Sequence, residues 1–160
     1  MVLLDTVPMN FIDLFKEHGV LMKTDKGNHL FQEGENADEF YFIQSGSVQI
    51  SKETENGKEL TLRICGPTSI VGGYSLFGEQ TNHTMTAKAL KHTEMLSIKK
   101  ESLEMLLTEQ PSLMTEYIKW VQIENLKNQS IIRDLVMNGK KGAIYSTLIR
   151  LANTFGIPDE

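Results

Sequence analysis

The sequence predicts a mainly β body with flanking helices, and three observations carry that expectation. From about Leu21 to Ile98, short apolar runs are broken at regular intervals by turn chemistry: DKGN, EGENADE, QSGS, TENGKE, CGPTS and GEQTN. Strands of that length and spacing suit a sandwich or barrel. YFIQSGSVQI alternates, with Phe42 out of phase with Tyr41 and Ile43. In SKETENGKELTLRI, Asn56-Gly57 stands between two strand-like runs, a strong hairpin signal.

Each element follows from its local chemistry. Phe11, Ile12, Leu14 and Phe15 recur with helical spacing over about Asn10 to Val20, and Gly19 stops that helix. The strands come next, with Tyr41, Ile43, Val48 and Ile50 expected to point inward and Gly34 and Gly46 at corners that need positive φ. After Ile98 the texture turns helical. KKESLEMLLTEQP reads as a short helix ended by Pro111; Ser112 then caps a long helix that closes at Asn138-Gly139. A further amphipathic helix is expected from Lys141 to Phe155, with Ile144, Leu148, Leu151 and Ala152 on one side.

Composition bounds the function. The 160 residues carry a net charge of −5, which argues against this chain gripping nucleic acid by itself. No apolar run approaches the roughly 20 residues that span a bilayer. The opening MVLLDTVPMNFIDLF carries Asp5 and Asp13 and lacks a basic leader, so the expected location is the cytoplasm and no membrane partner is expected. The single cysteine, Cys65, excludes an internal disulfide framework and is expected to be a small buried hydrophobe. His18, His29, His83 and His92 form no H-x-H pair, and there is no Gly-x-Ser-x-Gly elbow or Walker loop. An enzyme and a resident metal are therefore not expected.

Two stretches invite a functional reading. In the long helix, Met114, Ile118, Val121, Asn125, Asn128, Ile132 and Leu135 recur in steps of four and three, a heptad seam suited to parallel pairing with a second copy. Trp120, Ile123 and Leu126 lie off the seam and are free to dock on the β body. The two amides, Asn125 and Asn128, would weaken pairing while fixing its register. The second stretch is VGGYSLFGEQTNHTMTA, residues 71–87. Gly72 and Gly73 leave backbone N–H groups uncovered, so an anion could approach, and His83 and Thr84 supply polar tips.

The order of these parts, together with LFQEGENADEFYFIQSGSVQI, ELTLRICGPTSIVGGYSLFGE and IRDLVMNGKKGAIYSTLIRLANTFG, resembles the effector-sensing part of the Crp/Fnr family of bacterial transcription regulators. The last stretch looks especially like the Fnr-type regulators of Gram-positive bacilli. The resemblance implies a double-stranded β-helix (jelly-roll) effector domain over 1–110, a dimerisation helix over 111–139, and the start of a DNA-binding domain over 140–160. It also implies a homodimer that reaches DNA through a winged helix-turn-helix beyond Glu160, with RNA polymerase as a partner.

The resemblance also implies an effector pocket at Gly72, Gly73, Tyr74, Ser75, His83, Thr84, Asn128 and Gln129. Cyclic-nucleotide-binding members place a Glu where this chain has Gly73 and an Arg where it has His83; Gly72 and Thr84 match. A neutral imidazole does not replace the always-charged fork of Arg. Cyclic AMP is therefore not expected to bind, although another anion could use the two glycine amides with His83 protonated. Asn128 and Gln129 align with positions that face the bound base, and as amides they would either line a pocket or satisfy each other across the dimer. In the bacilli branch an aspartate at Asp134 serves an iron–sulfur cluster with cysteines from elsewhere. No cofactor is expected in this chain, where Asp134 reads as a solvated helix acid near Arg133; a cluster would need cysteines from a longer protein. The alternative to a sensor domain is a naturally short interaction module that dimerises with a full-length relative.

Overall fold

The computed structural model describes residues 7–72, 75–79 and 81–155, with the side chains at 135, 138–143 and 146 outside that description. It falls into two compact units, one extending to Tyr117 and the other starting at Ile118. The first is the β body with two helices. Helix α1 (Met9–His18) leads into β1 (Val20–Thr24), β2 (His29–Phe31), β3 (Glu39–Ser45), β4 (Val48–Glu53), β5 (Glu59–Cys65), β6 (Ile70–Val71), β7 (Thr86–Ala89) and β8 (Thr93–Lys99), followed by α2 (Lys100–Glu109). Two four-stranded antiparallel sheets result, ordered β1-β8-β3-β6 and β2-β7-β4-β5. That is the jelly roll expected from the spacing of the turns.

Alternation along the strands builds the core between the sheets. Tyr41, Ile43, Val71 and Met95 of the first sheet meet Phe31, Val48, Cys65 and Ala87 of the second, with Ile50 packed against them. Cys65 is thus a buried core thiol. The hairpin signal at Asn56-Gly57 marks a real reversal, but as a five-residue connection: Glu53 pairs with Glu59, and Gly57 takes φ of 72°. Thr54 closes it, its N–H reaching the Lys58 carbonyl at 2.8 Å.

The outer face of the first sheet is buried as well, and alternation alone does not reveal this. Phe42, out of phase with Tyr41 and Ile43, is as buried as they are because α1 lies over it, with the Phe15 and Phe42 rings 5.8 Å apart. Phe11 and Phe15 are fully buried and meet edge-to-face; each such ring stabilises the fold by about 2–3 kcal/mol. Gly19 ends α1 in extended backbone rather than at positive φ. A Cβ there would sit 2.9 Å from Leu96 Cβ and run into the Phe15 carbonyl, so close approach to β8 explains this glycine.

Helix α3 (Pro111–Phe155) differs from expectation at both ends. Pro111 is its first residue instead of a terminator, a position where a missing N–H costs nothing. The Leu113 and Met114 N–H groups bond to the Gln110 carbonyl, so Ser112 lies inside the helix and does not cap it. Helical backbone also continues through Asn138-Gly139. Yet Arg150 Nη1 lies 3.0 Å from Asp134 Oδ2. A straight helix would separate those residues by about 24 Å, far beyond side-chain reach. The axis must therefore turn sharply between Asp134 and Arg150, and the returning arm is held by that ion pair.

Candidate functional site

At one end of the roll, β2, β3, the connection between them, residues near β7 and the start of α2 enclose a cavity of about 750 Å³, in the range that holds small ligands. His83 is its best-positioned side chain. The loop carrying it pairs with the β2–β3 connection: the His83 N–H reaches the Glu35 carbonyl at 2.8 Å, and the Gly34 N–H reaches the His83 carbonyl at 2.8 Å. Gly34 takes φ of 90° with open space beside it, so the backbone conformation alone requires glycine there. The imidazole stacks flat on Phe31, centroids 3.5 Å apart and planes within 5°. Phe31 in turn stacks on Tyr41, whose hydroxyl donates to Glu39 Oε2 at 3.0 Å. Burial and the adjacent Glu39 push the Tyr41 phenol well above its usual range.

Burial also holds the His83 pKa below the ordinary histidine value, only partly opposed by the Glu35 and Asp38 carboxylates. The imidazole is therefore neutral at pH 7. This overturns the expectation that a protonated His83 could receive an anion. It also has a thermodynamic consequence. The unfolded chain binds a proton near pH 6.5 that the folded chain resists, so stability present above that pH is lost as the pH falls below it. Replacing His83 with Phe should flatten the decline between pH 7 and pH 5, as read from urea unfolding midpoints of the two proteins.

The other expected pocket residues are scattered. Gly72 borders His83: at φ of 90°, its Cβ would lie 3.7 Å from His83 Cε1 and 3.1 Å from the Glu39 carbonyl. Ser75 is buried, with its hydroxyl 3.4 Å from the Ala37 carbonyl. Thr84 is exposed and outside the cavity, its carbonyl accepting from Lys52 Nζ at 3.1 Å. Gly73 and Tyr74 lie outside the described residues. Asn128 and Gln129 are exposed on α3, and neither lines the cavity. The walls instead include Glu35, Asp38 and Glu39 from the β2–β3 side and Lys99, Lys100, Glu101 and Glu104 at the start of α2. The sequence reading treated EGENADE only as turn chemistry; its density of acids was the available signal.

Along the seam of α3, Ile118 and Ile132 are 50% and 61% exposed, Asn125 and Asn128 are exposed, and Met114 and Val121 are half-buried. The Leu135 side chain lies outside the described residues. Of the off-seam residues, Trp120 is buried and Ile123 half-buried, but Leu126 is 44% exposed and so is not docked. Asp134 also departs from expectation: it is buried, bound by Arg150 and by Arg133 Nη2 at 3.3 Å. An iron–sulfur cluster needs several thiolates. The one cysteine is locked in the roll core and the Asp134 carboxylate is committed to two guanidinium groups, so this chain's residues do not fit a cluster. Among the described residues no group of three or more His, Cys, Asp or Glu could hold a metal ion, and no helix is long and apolar enough to cross a membrane.

An eight-stranded antiparallel roll with a cavity at its mouth and a long helix after it is the architecture of a cyclic-nucleotide-binding-type domain. The cyclic nucleotide-binding domain family matches residues 21–110, and the chain belongs to that family, in its Crp/Fnr group. It is 44% identical over 153 residues to the anaerobic regulatory protein of Bacillus subtilis, covering 96% of this chain and 64% of that protein. It is 26% identical over 131 residues to the CRP-like cAMP-activated global transcriptional regulator of Mycobacterium tuberculosis, covering 82% of this chain and 58% of the relative. The chain thus spans about two thirds or less of these relatives. In fold it is similar to the c-di-GMP responsive global regulator CLP of Xanthomonas campestris, with a TM-score of 0.79 at 22% identity over 96% of this chain and 76% of that one. FixK2 of Bradyrhizobium japonicum gives a TM-score of 0.75 at 16% identity, covering 87% and 68%.

Proposed function

We propose that this chain is the sensor and dimerisation part of a Crp/Fnr-type transcription regulator that does not respond to cyclic AMP. The sensor is the roll over 1–110, the pairing element is α3 over 111–139, and 140–160 begins the DNA-binding domain. The regulator acts as a cytoplasmic homodimer, touches DNA through a domain outside these residues, and engages RNA polymerase there. No cofactor is assigned within this chain; a cluster would have to draw its thiolates from elsewhere in a longer protein.

The observation that carries this reading is the chemistry around His83. A cyclic phosphate needs a fixed cation, and the position offers a neutral imidazole stacked on Phe31 and bordered by Glu35 and Asp38. The open seam of α3 supports pairing, since isolated isoleucines at 50% and 61% exposure gain from a partner helix. The purified chain should sediment as a dimer at micromolar concentration and release no heat when titrated with micromolar cyclic AMP. A monomer would remove the dimer, and saturable cyclic AMP binding would remove the rest.

A further inference from the structure

We propose that the cavity at the mouth of the roll binds a small organic cation with several amine groups, of the linear polyamine class. This deepens the preceding reading and rests on it, because it assigns a ligand class to the pocket from which cyclic AMP was excluded. Five carboxylates line the cavity, from Glu35, Asp38, Glu39, Glu101 and Glu104. Two ammonium groups oppose them, and Lys100 lies 4.0 Å from Glu104 and is partly offset by it. The start of α2 also faces the cavity, but the first N–H of that helix, at Lys100, is taken by the Asp38 carbonyl at 2.7 Å.

Not all of these acids are engaged. Glu39 accepts from Tyr41, Glu104 accepts from the Phe77 N–H at 2.8 Å, and Glu35 accepts from the Gln32 N–H at 2.9 Å. The carboxylates of Asp38 and Glu101 take no hydrogen bond or ion pair from a described residue. An independent observation lies on the cavity wall. His83 is 8% exposed, lines the cavity, and its ring nitrogens have no hydrogen-bond partner among the described residues. A buried polar ring left without partners is uncommon unless something else meets it.

The chemistry then selects the ligand. A neutral imidazole keeps one lone pair that accepts an N–H, and ionised carboxylates only accept. Every unmatched group except Lys99 at the rim therefore calls for a donor. The acids are too dispersed to surround one metal ion, so the donors must be several and spaced apart. A chain of amines meets that requirement, with each ammonium forming a charge-assisted bond to a separate carboxylate.

Titration calorimetry of the chain with spermidine tests this, alongside the NMR resonance of the His83 Cε1 proton. The expected result is saturable binding, one per chain, that shifts the resonance. Affinity should fall at least about tenfold in the Glu35→Gln/Asp38→Asn double variant, whose thermal unfolding midpoint verifies its fold. Absence of saturable binding, equal affinity in the double variant, or an equal resonance shift from magnesium chloride at matched ionic strength would each overturn the proposal. Cyclic AMP titrated separately keeps the two readings apart. Silence from both ligands defeats the polyamine assignment alone, whereas saturation by cyclic AMP defeats both.

Discussion

Gly46→Ala is expected to destabilise the roll by about 3–5 kcal/mol, through positive φ and overpacking together. Its φ is 98°, and a Cβ would meet the Thr93 Oγ1, lie 2.6 Å from Thr93 Cα and 2.7 Å from the His92 carbonyl. Thr93 cannot retreat. It is fully buried, and its hydroxyl accepts the Ser47 N–H at 3.2 Å while donating to the Lys91 carbonyl at 2.9 Å. For a chain of this size, that loss lowers the unfolding midpoint by roughly 10 °C, measured by circular dichroism. Gly27→Ala is the control: φ is 90°, but nothing lies within 4 Å of a Cβ. It should cost only about 1–2 kcal/mol. Equal losses at the two sites would show that crowding against Thr93 is unimportant.

Ile118→Asp combined with Ile132→Asp should raise the dimer dissociation constant at least about a hundredfold, because unpaired carboxylates would be buried along the seam. The substitutions should barely alter the unfolding midpoint of the roll, since both side chains are half or more exposed in the single chain. Gln122→Asp, exposed and off the seam, is the control. Sedimentation equilibrium over a range of concentrations reads the difference. If the double variant dimerises like the parent, pairing does not run through this seam.

The roll was legible because its information is local. Turn chemistry, alternation at Tyr41 and Ile43, and glycines at 34 and 46 each act over a few residues, and they agree with one another. What escaped the sequence depends on distant partners. Phe42 looks solvent-facing until α1 is laid over it, and Gly139 looks like a stop although helical backbone runs past it. Asp134 finds its second arginine sixteen residues away because the helix axis turns. The site shows the same division. His83 was singled out correctly as the departure from a cyclic-nucleotide pattern. Its stacking on Phe31, its neutrality, and the acids around it come from β2, β3 and α2 converging, which no spacing rule encodes.

Strand β3 has no wet side: one face meets the opposite sheet and the other meets α1. A slip of one residue would drive both sets of side chains into the wrong layer at once, so the strand admits a single alignment. Glu39 and Tyr41 ride on that strand, and the wall they form is already rigid before any guest arrives. Selectivity at the mouth must then come from what a visitor presents to a fixed template, with adjustment left to the loops around it.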